Sequence, residues 1–227
     1  MPGHPTSPGE ASAAAPVASP ERRRDADRTR AEILLVATAQ FAAHGYSGAR
    51  VDEIAALTRT TKRMIYYYFG SKEQLYVAVL ERAYAAIRDA EQRVDLSHLD
   101  PITAVRHLAE ITFDHHEAHP DFIRLVSIEN VHHAEHIAQL PSLADLNMPA
   151  IDLLDGILRQ GRAEGLFRDD VDAIDLHMMI SAFCFFRVSN RYTFGALFGR
   201  DLLDPAHHDR YRTMLGEMIV GHLTRGR

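Results

Sequence analysis

One cysteine, Cys184, is all the thiol that 227 residues contain. An internal disulfide framework is excluded, and a reducing cytosol is the expected setting. No uninterrupted apolar run approaches the roughly 18–20 residues that a membrane span needs. The first twenty residues, MPGHPTSPGEASAAAPVASP, have no apolar signal core. Rich in Pro, Ala, Ser and Gly, they read as a disordered leader over residues 1–26 rather than a targeting peptide. Enzyme signatures are also missing: no G-x-x-x-x-G-K-[ST], no G-x-G-x-x-G, no H-E-x-x-H and no G-x-S-x-G. A nucleotide-dependent or hydrolytic enzyme is therefore not expected, nor is a cofactor. Alternating β-branched runs and internal repeats are absent as well.

What is present is an uneven charge. The net charge is −6. Residues 21–72 nevertheless hold ten Arg/Lys against six Asp/Glu, while residues 73–227 hold fifteen against twenty-four. A basic N-terminal portion on an acidic body points to an anionic partner at one end. Arg22, Arg23 and Arg24 read as a solvated run that can brush such a partner.

Helical periodicity carries the rest. Ile33, Leu34, Ala37, Phe41 and Ala42 predict a first helix over 28–44, with Gly45 as its cap. Val51, Ile54, Ala55 and Thr58 share one face of a short second helix. Thr61 caps a third, KRMIYYYF, which Gly70 ends. Ser71 with Gln74 opens a fourth as a capping box, carried by Leu75, Val79, Tyr84 and Ile87 to about 93. Further helices are expected at 101–118, from Pro120, at 143–164, from Asp172 to about Tyr192, and at 207–224. The fold class is all-α, about nine helices. A three-helix helix-turn-helix domain occupies 27–72, a linking helix 73–94, and a C-terminal helical domain 95–227.

Three short helices with a tight turn and a basic third helix describe a DNA-reading head. An α-helix fits the major groove and reads base edges with a few side chains, while phosphate contacts hold its register. Lys62 and Arg63 lie in the first turn of the third helix. Arg63 has the fork that bonds a guanine bidentately. Ile65 and Phe69, four apart, face the core, which leaves Tyr66 and Tyr67 towards the groove. Lys72 stands at the next helix's N-terminus, where amide donors favour anions.

The stretch GYSGARVDEIAALTRTTKRMIYYYFGSKEQLYVAVL resembles the DNA-binding domain of the TetR/AcrR transcriptional regulators. The matching residues are Ile54, Ala55, Thr61, Lys62, Ile65, Tyr66, Tyr67, Phe69, Lys72, Glu73 and Leu75, within a match over 28–80. Three positions depart from the family pattern. Arg59 stands where Gly is usual, Arg50 where a Thr cap is usual, and Tyr68 where His is common. Arg50 and Arg59 become possible phosphate ligands, and Tyr68 is expected to flank the backbone. With Thr60 and Thr61 these complete the expected DNA surface.

The resemblance implies a ligand-responsive regulator, most simply a repressor, acting as a homodimer on a palindromic double-stranded operator. A small-molecule effector would bind between helices 5, 7 and 8, and helices 8 and 9, the last two, would form the dimer interface. Helix 8, DAIDLHMMISAFCFFRVSNRY, is apolar nearly all round, as burial on two sides requires. Ile174, Met178, Ser181 and Phe185 follow one face; His177, Ile180, Cys184 and Val188 follow another. Candidate effector contacts are Phe113, His116, His177, Ser181, Phe185, Arg187, Asn190 and Arg191. Arg187 is a cation in an apolar helix, so it needs an intramolecular carboxylate or an anionic ligand. The SNRYTFGALFGRDL segment resembles that of family members linked to degradation of aromatic acids such as nicotinate, which favours an aromatic or carboxylated effector.

Two other readings follow from the residues. His115/His119 and His132/His136 have the i, i+4 spacing that suits a transition metal. A metal-sensing regulator could use them, with His132 and His136 the weak candidates. A helical small-molecule-binding protein with no DNA role is the other.

Overall fold

The computed structural model describes residues 20–96 and 98–224. The described residues form ten α-helices and two short 3-10 turns, with no strand. The helices are α1 (Pro20–Gly48), α2 (Val51–Leu57), α3 (Lys62–Phe69), α4 (Lys72–Gln92), α5 (Pro101–Ala118), α6 (Pro120–Val131), α7 (Pro141–Ala163), α8 (Ala173–Ser189), α9 (Arg191–Phe198) and α10 (His208–Thr224).

The head closes around Ile33, Ala37, Phe41, Ile54 and Ile65, all fully buried. Burying one such side chain contributes about 1.5–3 kcal/mol, so this small cluster holds α2 and α3, each too short to persist alone, against α1. Gly45, at φ 70° and ψ 174°, breaks α1, and residues 46–48 add one more turn beyond it. Thr61 caps α3 by accepting from the Met64 N–H at 3.2 Å, and Ser71 caps α4 by accepting from the Gln74 N–H at 3.0 Å. These caps satisfy amides that the helix cannot.

The head is not isolated from the body. Leu125 of α6 and Leu143 of α7 belong to its core cluster. A second core joins α5, α7, α8 and α10 through residues such as Phe113, Leu158, Leu176 and Leu215. Ile87, Phe122, Ile123 and Val188 bridge the two. Helix α4 packs on α1 and α3 of the head and on α5, α6 and α7 of the body.

Four sequence expectations change. Helix α1 begins at Pro20, so residues 20–26 are helical; the rest of the expected leader, residues 1–19, lies outside the described residues. Residues 191–198 form a separate helix, α9, which makes ten helices rather than nine. Asn190 ends α8, and Gly199, in the left-handed region at φ 69° and ψ 19°, ends α9. Helix α6 stops at Val131, because His133 and Ala134 take φ of 57° and 58°. His132 and His136 therefore share no helix face. Finally, α8 has three sides rather than two, because Ile180, Cys184 and Val188 are buried in the cores and do not face a partner.

Candidate DNA interface and ligand cavity

Helix α3 is divided by its own periodicity. Ile65 and Phe69 are buried, while Lys62, Arg63, Met64, Tyr66 and Tyr67 are exposed. Tyr67 is 78% exposed and Tyr66 37%. A phenol left this open on an apolar body is suited to a phosphate or base edge. Tyr68 is half-buried, edge-on to Phe69 at 6.4 Å, and so sits between core and surface.

The cations around α3 are held in different ways. Lys62 Nζ lies 3.2 Å from Asp52 of α2, so a phosphate must compete with that carboxylate. Arg63 carries no ion pair among the described residues. Lys72 Nζ sits over the Tyr46 ring at 5.0 Å and donates to the Ser47 carbonyl at 3.5 Å. Burial holds its ammonium below the ordinary lysine range. Arg50 precedes α2 in an extended conformation, with no side-chain cap bond, and reaches Glu53 at 4.0 Å. Arg59 takes φ 50° in the turn before α3, the conformation that explains the usual glycine. Thr60 is half-buried and Thr61 exposed beside it. All ten expected DNA-facing residues lie on α3, in the turn before it, or at the starts of α2 and α4.

The expected effector set divides. His116, His177, Ser181 and Phe185 line a cavity of about 340 Å³, together with Tyr84, Ile87 and Arg88 of α4, Phe122 and Val126 of α6, and Asn147 of α7. This size lies at the lower end of small-molecule sites. Phe113, Arg187, Asn190 and Arg191 do not line it. Phe113 is fully buried beneath the Arg187 guanidinium, 3.8 Å from its ring centre. Arg187 donates to Glu117 at 2.8 Å and to the Leu202 carbonyl at 3.1 Å, so its counter-ion is internal. Arg191 pairs with Asp201 at 2.7 Å, and Asn190 is the residue on which α8 ends.

Arg88 is the residue that sequence periodicity missed. It is 5% exposed and lines the cavity. Its Nη1 lies 2.9 Å from Glu91 Oε2, yet Arg88 Nε and Nη1 and Glu91 Oε2 have no hydrogen-bond partner among the described residues. The two groups touch without alignment. Burial pushes the Glu91 carboxyl up to about 7, despite the adjacent guanidinium. The signal was available: Arg88 lies four residues after Tyr84, on the inward side of α4.

The buried histidines of α5 near Arg88 are held in the neutral form. Burial, then neighbouring imidazoles and Arg88, hold His115 down to about 3. Burial holds His116 down to about 4, against the Thr112 carbonyl that its Nδ1 meets at 2.8 Å. His115 stacks on His119 at 4.1 Å. No group of three or more potential metal-ligating side chains occurs among the described residues. His136 is instead buried against Glu129 at 3.1 Å, while His132 is exposed.

Glu129 is itself a junction between head and body. Its carboxylate accepts from Tyr76 Oη at 2.9 Å and from the His136 and Ile137 N–H groups, each at 3.2 Å. His136 packs on the Tyr46 and Tyr76 rings at 4.6 and 4.8 Å. Tyr46 is the ring beneath Lys72. No described helix is long and apolar enough to cross a membrane.

Comparison with known proteins agrees with this geometry. Residues 33–79 match the family described as bacterial regulatory proteins, tetR family, and residues 101–219 match the tetracyclin repressor-like C-terminal domain. The HTH-type transcriptional repressor NicS of Pseudomonas putida is 37% identical over 204 residues, covering 90% of this chain and 96% of that one. The HTH-type transcriptional repressor SCO4008 of Streptomyces coelicolor is 32% identical, over 70% and 78% of the two chains. The crystal structure of SCO4942 from Streptomyces coelicolor superimposes with a TM-score of 0.65 at 30% identity, covering 87% of this chain and 99% of that one. With both of its halves matched and a relative of this identity along nearly its whole length, the chain belongs to the TetR family of transcriptional regulators.

Proposed function

We propose that the protein is a homodimeric repressor that binds a palindromic operator and releases it when a small molecule enters the α4–α8 cavity. The observation that carries this is the course of α4. Its first residue is Lys72, beside α3, and its far end supplies Tyr84, Ile87 and Arg88 to the cavity wall. A ligand that moves this wall moves the base of the reading head. It shifts the DNA equilibrium only by as much as it prefers one head spacing over the other.

Two features support pairing through α8 and α10. Ile174, Met178 and Phe186 of α8 and Met218 of α10 are exposed apolar side chains. Of these, Phe186 and Met218 line a trough of about 750 Å³ together with Phe183 and Met214. A soluble surface leaves so large an apolar area open mainly where a partner covers it. A two-fold dimer places two α3 helices in successive major grooves, about 34–36 Å apart.

The test is a salt-dependent gel shift with DNA from the neighbouring promoters, repeated with a small-molecule library. Binding to a palindrome that a ligand relieves supports the reading. No preference for any nearby palindrome over scrambled DNA contradicts it.

A further inference from the structure

The cavity holds a buried cation with an ill-fitting counter-ion. Arg88 is 95% hidden from solvent on its fractional exposure of 5%, and two of its three nitrogens lack a hydrogen bond. An isolated buried guanidinium is costly unless its donors are used. Arg187, also buried, leaves its Nε and Nη1 without a hydrogen bond too, but its Nη2 meets the Glu117 carboxylate at 2.8 Å and the Leu202 carbonyl at 3.1 Å, and its guanidinium lies over the Phe113 ring. Arg88 has only Glu91, one turn away on the same helix, whose Oε2 is also without a hydrogen bond.

Resting on the ligand-responsive reading above, we propose that Arg88 is the anchor for a ligand carboxylate, and that Glu91 takes up a proton as the ligand displaces it. A planar carboxylate matches the guanidinium fork in a way that Glu91, tethered three residues on, does not. Tyr84, Phe122 and Phe185 offer flat apolar walls for the rest of the ligand, so its class is an aromatic monocarboxylate.

The proton follows from the charges. Ligand-free, the region holds one guanidinium and one carboxylate. A second carboxylate beside Arg88 leaves one negative charge in excess, and two carboxylates sharing a buried site do not both stay ionised. The other titratable groups close enough to act on Arg88 are Tyr84 of α4, His115 and His116 of α5, and His177 of α8. Burial holds His115, His116 and His177 below the ordinary histidine range, so they are poor proton acceptors. Burial raises the Tyr84 phenol, which stays protonated. Glu91 is already pushed up to about 7, which makes it the ready acceptor. Below that pH it is protonated before the ligand arrives, and no uptake is needed. Above it, each binding event draws a proton, so affinity falls towards tenfold per pH unit.

The probes are benzoate, phenylacetate and cinnamate, each against its amide, by titration calorimetry at pH 8 in two buffers of different ionisation enthalpy. At least one acid is expected to bind at least tenfold tighter than its amide, with uptake of close to one proton. Arg88→Gln should lose that preference, and Glu91→Gln should keep the binding and lose the proton uptake. The proton count is read on the wild-type protein, so the test survives a variant that fails to fold. Acids that bind no better than their amides, or bind without proton uptake at pH 8, overturn the proposal. An amide that releases DNA while no acid does overturns it and leaves the effector reading standing. An acid that binds with the predicted proton but releases no DNA supports the anion site and contradicts the regulatory reading.

Discussion

At the residue scale, DNA reading is assigned to side chains of different character. Arg63 is exposed on the first turn of α3 with no ion pair among the described residues, whereas Lys72 lies at the first position of α4. Arg63→Ala is expected to cost about 1–3 kcal/mol on the preferred site and to relax the preference at one base position. Lys72→Ala should weaken binding to all sequences alike and flatten the salt dependence by about one unit per head. Competition anisotropy across a set of half-site variants separates the two, and a uniform loss for Arg63→Ala contradicts base reading. Arg59, held at φ 50°, carries a local cost of about 1 kcal/mol relative to glycine. Arg59→Gly should therefore raise the urea midpoint slightly while lowering DNA affinity.

The buried titratable groups set the pH limits of the fold. His115 and His116 are held to about 3 and about 4, below the ordinary 6.5 of the unfolded chain. Their stabilising contribution is complete above pH 6.5 and is lost as pH falls towards 4, because the unfolded chain binds those protons first. Glu91 acts in the opposite sense. Raised from 4.5 to about 7, it contributes stability that is present below 4.5 and lost as pH rises through 7. Urea unfolding across pH 4–8 should show His116→Asn flattening the acid limb and Glu91→Gln flattening the alkaline one. Indistinguishable limbs in the variants would mean these groups are not buried as described.

At the scale of the elements, much was legible. The 3.6-residue spacing of Ile33, Ala37 and Phe41, the Thr61 and Ser71 caps, and the buried pair Ile65 and Phe69 are local signals, and each appears where the spacing placed it. The division of the three tyrosines was legible for the same reason, because a helix sends consecutive residues in different directions. What the sequence concealed depends on distant partners. Arg187 left an internal carboxylate and a ligand anion both open, because nothing local announces Glu117, seventy residues away. Arg88 stood on the inward side of α4 by its spacing from Tyr84, but its burial in the cavity wall is a property of the packed molecule. The i, i+4 pair His132/His136 dissolved because the left-handed residues His133 and Ala134 intervene. The junction of Tyr76, Glu129 and His136 likewise joins α4 to the segment after α6 across fifty-three residues. If this junction transmits the ligand signal, Tyr76→Phe should cost about 1 kcal/mol of stability and reduce ligand-induced DNA release, with ligand-free DNA affinity nearly intact. Release that is unchanged in Tyr76→Phe would place the coupling elsewhere along α4.

At the scale of the whole molecule, the account needs two copies. One short helix makes few base contacts, and specific affinity comes from two heads held at a fixed spacing. In the proposed dimer, the exposed apolar side chains of α8 and α10 form the surface that fixes that spacing. Phe186→Asp or Met218→Glu buries a charge in this interface, so either should shift the protein to monomers in sedimentation and reduce operator affinity by at least tenfold. In the proposed complex, the acidic body, net −9 over residues 73–227, stays clear of the phosphates while the basic head engages them. The most direct test of the central claim is fluorescence anisotropy on a palindrome from the chain's own upstream region and on its scrambled counterpart, over a salt series. The account predicts tight, salt-dependent binding of a dimer to the palindrome, lost selectively in Arg63→Ala; equal binding to both DNAs, or none, would contradict it.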